Sequence, residues 1–247
     1  MASVSSLARR WLRVCCLSAL AAACAPAFAE HLPLPQNLVD LQTRKGQQYF
    51  LEAQARAAYW PLASEFVTQK NGAFCGVATL VMVLNSLEVP APDVAHVGPY
   101  KAFNQDNVLN GATEAIVAQS NILRRGMTLD ELGALFGAFG VEARAVHASQ
   151  VSLEEFRDAA RDYLSRERHF VVVNYLRTSI GQIRDGHISP LAAYDENTDR
   201  FLILDVARFK YPPVWVEATE LFAAMNTIDA GNEGRSRGYI LIEPTSR

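Results

Sequence analysis

Cys75 stands between a polar turn, Gln69–Phe74 (QKNGAF), and a run that is apolar on nearly every side, Gly76–Leu87 (GVATLVMVLNSL). A cysteine that only packs belongs inside such a run, as a small hydrophobe. This one sits at its edge, where a helix is predicted to begin. The unpaired N–H groups and the dipole of a helix start favour a thiolate. The chemistry open to such a thiol is nucleophilic attack, which needs a base. Without one, Cys75 is a packed residue and no more.

A base follows from strand arithmetic. Gly186–Tyr194 (GHISPLAAY) and Phe201–Ala207 (FLILDVA) read as strands, and Asp195–Asp199 between them is rich in turn formers. A hairpin centred on Glu196 sets Leu191 against Phe201, Ser189 against Ile203 and His187 against Asp205. Directly opposed side chains share a face, with Cβ atoms roughly 5 Å apart. The carboxylate of Asp205 could then orient the imidazole and stabilise its charged form. An unpartnered Asp205 among apolar neighbours would be costly. The other histidines compete less well: His31 lies in an extended arm and His96 in a Pro-rich loop. His147 and His169 sit at predicted strand ends with no acid in a matching register. Scattered histidines and so few cysteines do not supply the three or four ligands of a zinc site. For the oxyanion of an attacked amide, the candidate donors are the backbone N–H of Cys75 and the side-chain amide of Gln69.

The elements that must position these residues are readable in outline. Gln47–Tyr59 has helical spacing and is expected to stop at Trp60-Pro61. Gly76–Leu87 reads as a buried central helix. Pro90–Asn110 reads as loop, with Phe103–Asn107 (FNQDN) lying over a site. Thr128–Glu131 and Ser152–Glu155 are capping boxes that open helices running to Gly140 and to about Arg166. Val141–His147, His169–Leu176 and Gly238–Glu243 read as further strands, and Glu217–Met225 as a short helix. Helices dominate the first half and neighbouring strands the second, which predicts an α+β fold with a mainly antiparallel sheet.

Composition narrows the classes. The 247 residues are half hydrophobic and one-fifth charged, with a formal net charge of -3 and no basic stripe, so no nucleic-acid partner is expected. Residues 1–29 have the layout of a secretory signal: a basic start, a short apolar stretch holding Pro26, and Ala27-Phe28-Ala29 as a cleavage site. Cleavage after Ala29 would leave a secreted or periplasmic catalytic domain over 30–247, without a stable membrane partner. Two rival readings, a twin-arginine signal at Arg9-Arg10 and a lipid anchor on Cys24, fit less well. With Cys15, Cys16 and Cys24 in the leader, the mature chain keeps Cys75 alone and forms no internal disulfide. A homodimer is left open.

Cys75, His187 and Asp205 in that chain order, with Gln69 before the cysteine, resemble the papain-like cysteine peptidase arrangement. More specifically, the sequence resembles phytochelatin synthase. The matching stretches are Gln69–Leu87, Gly186–Pro190 (GHISP) and Leu202–Trp215 (LILDVARFKYPPVW), with weaker ones at Gly126–Tyr163 and Met225–Ile242. The resemblance implies a papain-like fold, with Cys75 as nucleophile, His187 as base, Asp205 as orienting acid and Gln69 at the oxyanion. It implies glutathione as substrate: glycine leaves, and the γ-glutamylcysteinyl group passes to water or to a second glutathione, giving phytochelatin. Arg237 suits the carboxylate of the γ-glutamyl end, and Arg208 and Asp229 are weaker candidates there. Plant members carry a cysteine-rich C-terminal domain tied to metal sensing; with one mature cysteine, direct metal binding by this sequence is not expected. No cofactor is required, although cadmium or zinc could enter as a glutathione thiolate complex. The alternatives are a peptidase acting on other peptides and a non-catalytic thiol or metal-binding module.

Overall fold

The computed structural model describes residues 31–96, 98–183 and 185–245. The predicted leader lies outside them. Seven strands form one sheet: β1 (Val39–Asp40), β2 (Val141–His147), β3 (Phe170–Leu176), β4 (Gly186–Asp195), β5 (Arg200–Ile203), β6 (Val214–Glu217) and β7 (Gly238–Pro244). Their order is β1-β6-β5-β4-β3-β7-β2, and every neighbouring pair is antiparallel. The helices are α1 (Arg44–Glu52), α2 (Tyr59–Ser64), α3 (Cys75–Ser86), α4 (Gly111–Glu114), α5 (Gln119–Arg125), α6 (Leu129–Ala138), α7 (Leu153–Ser165) and α8 (Ala218–Met225). The expected mixture of helices with an antiparallel sheet is what the chain forms.

β3 and β4 are buried at almost every position, so both of their faces must be covered. Contacts to them come from α3 on β4 and from α7 and α8 on β3. α3 is itself buried from Cys75 to Leu84, which explains why its apolar residues show no single face. Both predicted capping boxes form. Thr128 accepts from the Glu131 N–H and Ser152 from the Glu155 N–H, while each glutamate reaches back to its cap. A cap of this kind contributes about 1 kcal/mol.

Several expectations are corrected. The helix expected over Gln47–Tyr59 ends at Glu52, and a second helix starts at Tyr59 and contains Pro61. Proline is tolerated there because it lies in the first turn, whose N–H groups have no intrahelical acceptor. α4 and α5 fill residues left unassigned before Gly126, and β6 was not anticipated.

The main correction is the register of the β4–β5 hairpin. The observed pairs are Asp195 with Arg200, Tyr194 with Phe201 and Ala193 with Leu202, then a shift to Leu191 with Ile203. The pairing beside the turn therefore lies three residues from the expected one, an odd shift that alone would move every side chain of β5 to the other face. A bulge at Ala192 brings the register back by one and restores the matching of odd with odd positions, two residues from the expected pairing. Continued beyond Ile203, that register would set Ser189 opposite Asp205, with His187 on the diagonal. Diagonal neighbours remain within reach of long side chains.

The strand also ends earlier than predicted, at Ile203, and Pro190 supplies the reason. The Leu204 N–H donates to the Pro190 carbonyl at 3.1 Å. In an antiparallel ladder the partner bond would return from residue 190. Proline has no N–H to give. The Val206 N–H turns instead to the Ser189 hydroxyl at 3.3 Å. Chain 204–207 thus leaves the sheet beside His187.

Candidate active site

Cys75 is the first residue of α3, and the preceding Phe74 offers no capping oxygen. The N–H groups of the first turn are therefore not spent on a cap. The turn before it is held locally: the Asn71 side chain accepts from the Ala73 N–H at 2.9 Å, and its carbonyl from the Phe74 N–H at 3.3 Å. Gln69 is buried and its backbone N–H donates to Val206 at 2.9 Å, which ties the turn to the segment carrying Asp205. The Gln69 amide donates to the Asn71 carbonyl at 2.6 Å, and its Oε1 has no partner among the described residues. An amide NH₂ has a second hydrogen still to place. Gln105, in the FNQDN segment, grips the backbone on both sides of Gln69: it accepts from Lys70 at 2.8 Å and donates to Thr68 at 2.9 Å.

His187 Nε2 lies 2.9 Å from Asp205 Oδ1 and 2.9 Å from the Ser189 hydroxyl. That leaves Nδ1 as the free ring nitrogen, and the imidazole and the Cys75 thiol, which line the same cavity, shift one another's ionisation. The Tyr175 ring, paired across the ladder, stands edge-on to the imidazole at 5.7 Å. All of these groups are buried: Cys75 is 8% exposed, His187 4% and Asp205 0%.

Burial pushes the Cys75 thiol up. The hydrogen bond and charge of His187, with the N–H groups of Ile188 and Gly76, outweigh it and bring the thiol below its ordinary value. Burial pushes the His187 imidazole down. The charge of Asp205 and the hydrogen bonds to Asp205 and Cys75 outweigh burial and the opposing charge of Arg177, and hold the imidazole above its ordinary value. Burial raises the Asp205 carboxyl, but His187 and Arg177 hold it well below the usual carboxylate range. A thiol shifted down beside an imidazole shifted up favours a thiolate–imidazolium pair.

Cys75 and His187 open on a cavity of about 540 Å³, which Asn174, Gly186, Arg124 and Arg237 also line. Arg237 donates to Asn174 Oδ1 at 2.6 Å and to the two Asp229 oxygens at 2.9 and 2.7 Å, and its buried Nε has no partner among the described residues. Gly186 lets this guanidinium cross the chain, since a Cβ there would lie 2.5 Å from both terminal nitrogens. Asn232 ties the loop carrying Asp229 to the start of α6, accepting from the Leu129 N–H at 3.1 Å and donating to the Ser236 carbonyl at 2.8 Å.

Of the residues singled out in the sequence, the structure gathers Gln69, Cys75, His187 and Asp205, and sets Arg237 and Asp229 as an ion pair on the same cavity. Arg208 is placed elsewhere. It lines a second cavity of about 630 Å³ and lies 4.7 Å from the Phe66 ring centre. Two histidines are corrected as well: His147 finds Asp130 at 3.1 Å and His169 finds Glu243 at 3.1 Å. Asp130 comes from α6, so strand pairing could not reveal it. Among the described residues, no three His, Cys, Asp or Glu side chains converge as a metal site.

Arg177, Ser189 and Asn174 were missed. For Asn174 and Arg177 the available signal was a polar residue in the otherwise apolar run Phe170–Arg177 (FVVVNYLR), where each buried polar group needs a partner.

The sequence model of the family described as phytochelatin synthase matches residues 29–239. Glutathione gamma-glutamylcysteinyltransferase 1 of Lotus japonicus is 35% identical over 228 residues, covering 91% of this chain and 44% of the relative. Glutathione gamma-glutamylcysteinyltransferase of Schizosaccharomyces pombe (strain 972 / ATCC 24843) is 34% identical over 214 residues, 85% of this chain and 50% of the relative. Glutathione gamma-glutamylcysteinyltransferase 1 of Arabidopsis thaliana is 32% identical over 228 residues, 91% and 45% respectively. The chain spans about half the length of these curated relatives, and the stretch it shares with them includes Gln69, Cys75, His187 and Asp205. With its family match running through nearly all of the described fold, the chain belongs to the phytochelatin synthase family.

Proposed function

We propose that this chain is a cysteine-nucleophile acyltransferase of glutathione with a papain-like arrangement, α3 carrying the nucleophile against a sheet that carries the base. The observation that carries the reading is His187, 2.9 Å from Asp205, lining with Cys75 the same cavity as Arg237, which is itself paired with Asp229.

The Cys75 thiolate attacks the carbonyl carbon of the Cys–Gly amide. The oxyanion is met by the Cys75 N–H and the second hydrogen of the Gln69 amide. As the intermediate collapses, His187 gives its Nδ1 proton to the glycine nitrogen; glycine leaves and a γ-glutamylcysteinyl thioester remains. His187 then takes a proton from the second nucleophile. Water gives γ-glutamylcysteine; the α-amine of a second glutathione gives phytochelatin. Cadmium or zinc enters only as part of a glutathione thiolate complex, which is substrate. Export of the chain by the 1–29 leader belongs to the same proposal, and the N-terminal residue of the protein recovered from cells tests it.

Charge matching supports the substrate. Glutathione carries an ammonium and two carboxylates. Arg237 and Asp229 complement the zwitterionic γ-glutamyl end, and Arg125 is committed to Glu131. Arg124 bonds only the neutral Asn121 Oδ1, at 3.0 Å, with no carboxylate in reach among the described residues. It is the cation left for the glycine carboxylate. A charge-assisted bond of this kind contributes about 1.5–3 kcal/mol, less where water screens it. Arg124→Gln is therefore expected to raise KM for glutathione roughly 5- to 30-fold and to leave KM for its glycine methyl ester unchanged. Equal effects on both substrates would remove Arg124 from recognition.

The purified chain, incubated with glutathione with and without cadmium, tests the whole reading by mass spectrometry of the products. γ-Glutamylcysteine and glycine alone identify a hydrolase. Longer (γ-Glu-Cys) peptides ending in glycine identify a synthase. Intact glutathione under all conditions rejects the substrate.

A further inference from the structure

Asp205 has a second partner besides His187, a buried cation. Arg177 follows β3, is 1% exposed, and holds Asp205 with both terminal nitrogens: Nη2 donates to Oδ1 at 2.8 Å, and Nη1 lies 2.8 Å from Oδ2, out of hydrogen-bonding line. Nη1 also donates to Gln182 Oε1, and the guanidinium lies 5.2 Å from the Tyr211 ring centre. Burial opposes its charge; Tyr175 and Asp205 outweigh that and keep it protonated. Asp205 Oδ1 thus serves Arg177, His187 and the Ala207 N–H together.

We infer that Arg177 is a positioning residue for the Cys75–His187 pair: its guanidinium, braced by Gln182, divides the charge of Asp205 between itself and His187, and so sets how readily the imidazole releases its proton. The groups facing His187 are Cys75 from α3, Tyr175 from β3, Ser189 from β4, and Asp205 and Arg177 from the segments after β5 and β3. Cys75 and Asp205 favour the imidazolium, and Arg177 alone opposes it by charge. Without Arg177, His187 is the sole counter-charge of a buried carboxylate. It then holds its proton more tightly, and transfer to the leaving amine slows. Arg177 does not line the Cys75 cavity, so substrate affinity is not its part.

The inference rests on the proposed reaction, so two readouts are needed: glutathione turnover against pH, and alkylation of Cys75 by iodoacetamide against pH, which needs no substrate. Arg177→Met is expected to lower kcat about 100-fold with KM within about threefold, and to move the alkaline limb of the turnover profile, and the upper step of the alkylation profile, up by about one unit. Arg177→Lys keeps the charge and loses the fork. It is expected to hold the limb near the wild-type position with kcat about tenfold down. Gln182→Ala, which removes only the brace, should lower kcat severalfold with KM unchanged. A raised KM with an unmoved limb would show substrate contact and overturn the inference, as would a limb that moves down, which means Asp205 has swung away. If Arg177→Met does not fold, Arg177→Lys decides: wild-type kcat or a raised KM rejects the inference. If the wild-type chain leaves glutathione intact, the alkylation profiles still test Arg177, and only the substrate is lost.

Discussion

Cys75→Ala is expected to abolish glutathione turnover, with a fall of about 10⁴-fold or more. The thiol is the cavity's one group that is both nucleophilic and shifted toward its anion. Nothing beside it can take over: Ser189 has its hydroxyl occupied by His187 and the Val206 N–H, and Thr79 faces the Ile188 carbonyl. Cys75→Ser is the sharper variant. It keeps the shape of the site, but its hydroxyl is far harder to ionise, so it should be nearly as inactive while still binding substrate. Rapid-quench mass spectrometry makes the same point directly, because the wild-type chain should carry a γ-glutamylcysteinyl adduct on the peptide containing Cys75. An alanine variant with turnover within about tenfold of wild type would remove Cys75 from the chemistry.

The second large effect is expected at His187. His187→Ala should lower kcat about 10³-fold, and it should also change the thiol itself. In the wild type, burial raises the Cys75 thiol, and His187 together with the Ile188 and Gly76 N–H groups more than offsets it. Remove His187 and burial acts against the remaining N–H groups alone. The alkylation profile of Cys75 should then move to higher pH. The wild-type rate should be bell-shaped. Its acid limb, below the ordinary thiol value, reports formation of the thiolate; its alkaline limb, above the ordinary histidine value, reports loss of the imidazolium proton. Both limbs belong to the coupled pair rather than to either residue. Asp205 stays ionised across this range and adds no limb. Stability follows the same signs. The depressed Cys75 value stabilises the fold at high pH and is lost as pH falls through the folded value. The raised His187 value stabilises it at low pH and is lost as pH rises. A Cys75 thiol that titrates alike with and without His187 would mean that the two do not interact.

Local signals carried much of the reading. Thr128 and Ser152 announced two helices because a capping box is complete within four residues. β2 could be bounded from its alternation and the Gly140 before it. The start of α3, and with it the place of Cys75, followed from one boundary between polar and apolar residues. Each of these depends on neighbours in the chain, and a sequence displays those directly.

The meeting of His187 with Asp205 is a harder case, because the residues were chosen correctly on a wrong register. The turn shifts the pairing by three and the bulge at Ala192 brings it back by one, so odd positions still match odd ones, two residues from the expected register. No residue type announces a bulge there. It is settled by the fit of two apolar faces against α3, α7 and α8. Pro190 could have been read as the end of a ladder, but only once the side on which its missing N–H falls was known.

The sequence by itself determined the place of Cys75 at a helix start, the two glutamate-closed caps, the α+β class and the family, since these rest on residue type and short-range spacing. Tertiary structure alone decided which acids His147 and His169 meet, that Arg208 faces a different cavity, and that Arg177 pairs with Asp205. Those partners come from segments far apart in the chain, brought together by the packing of a sheet whose strand order the sequence does not spell out. A buried charge needs a counter-charge, but which residue supplies it is a matter of three-dimensional distance, and that exists only after folding.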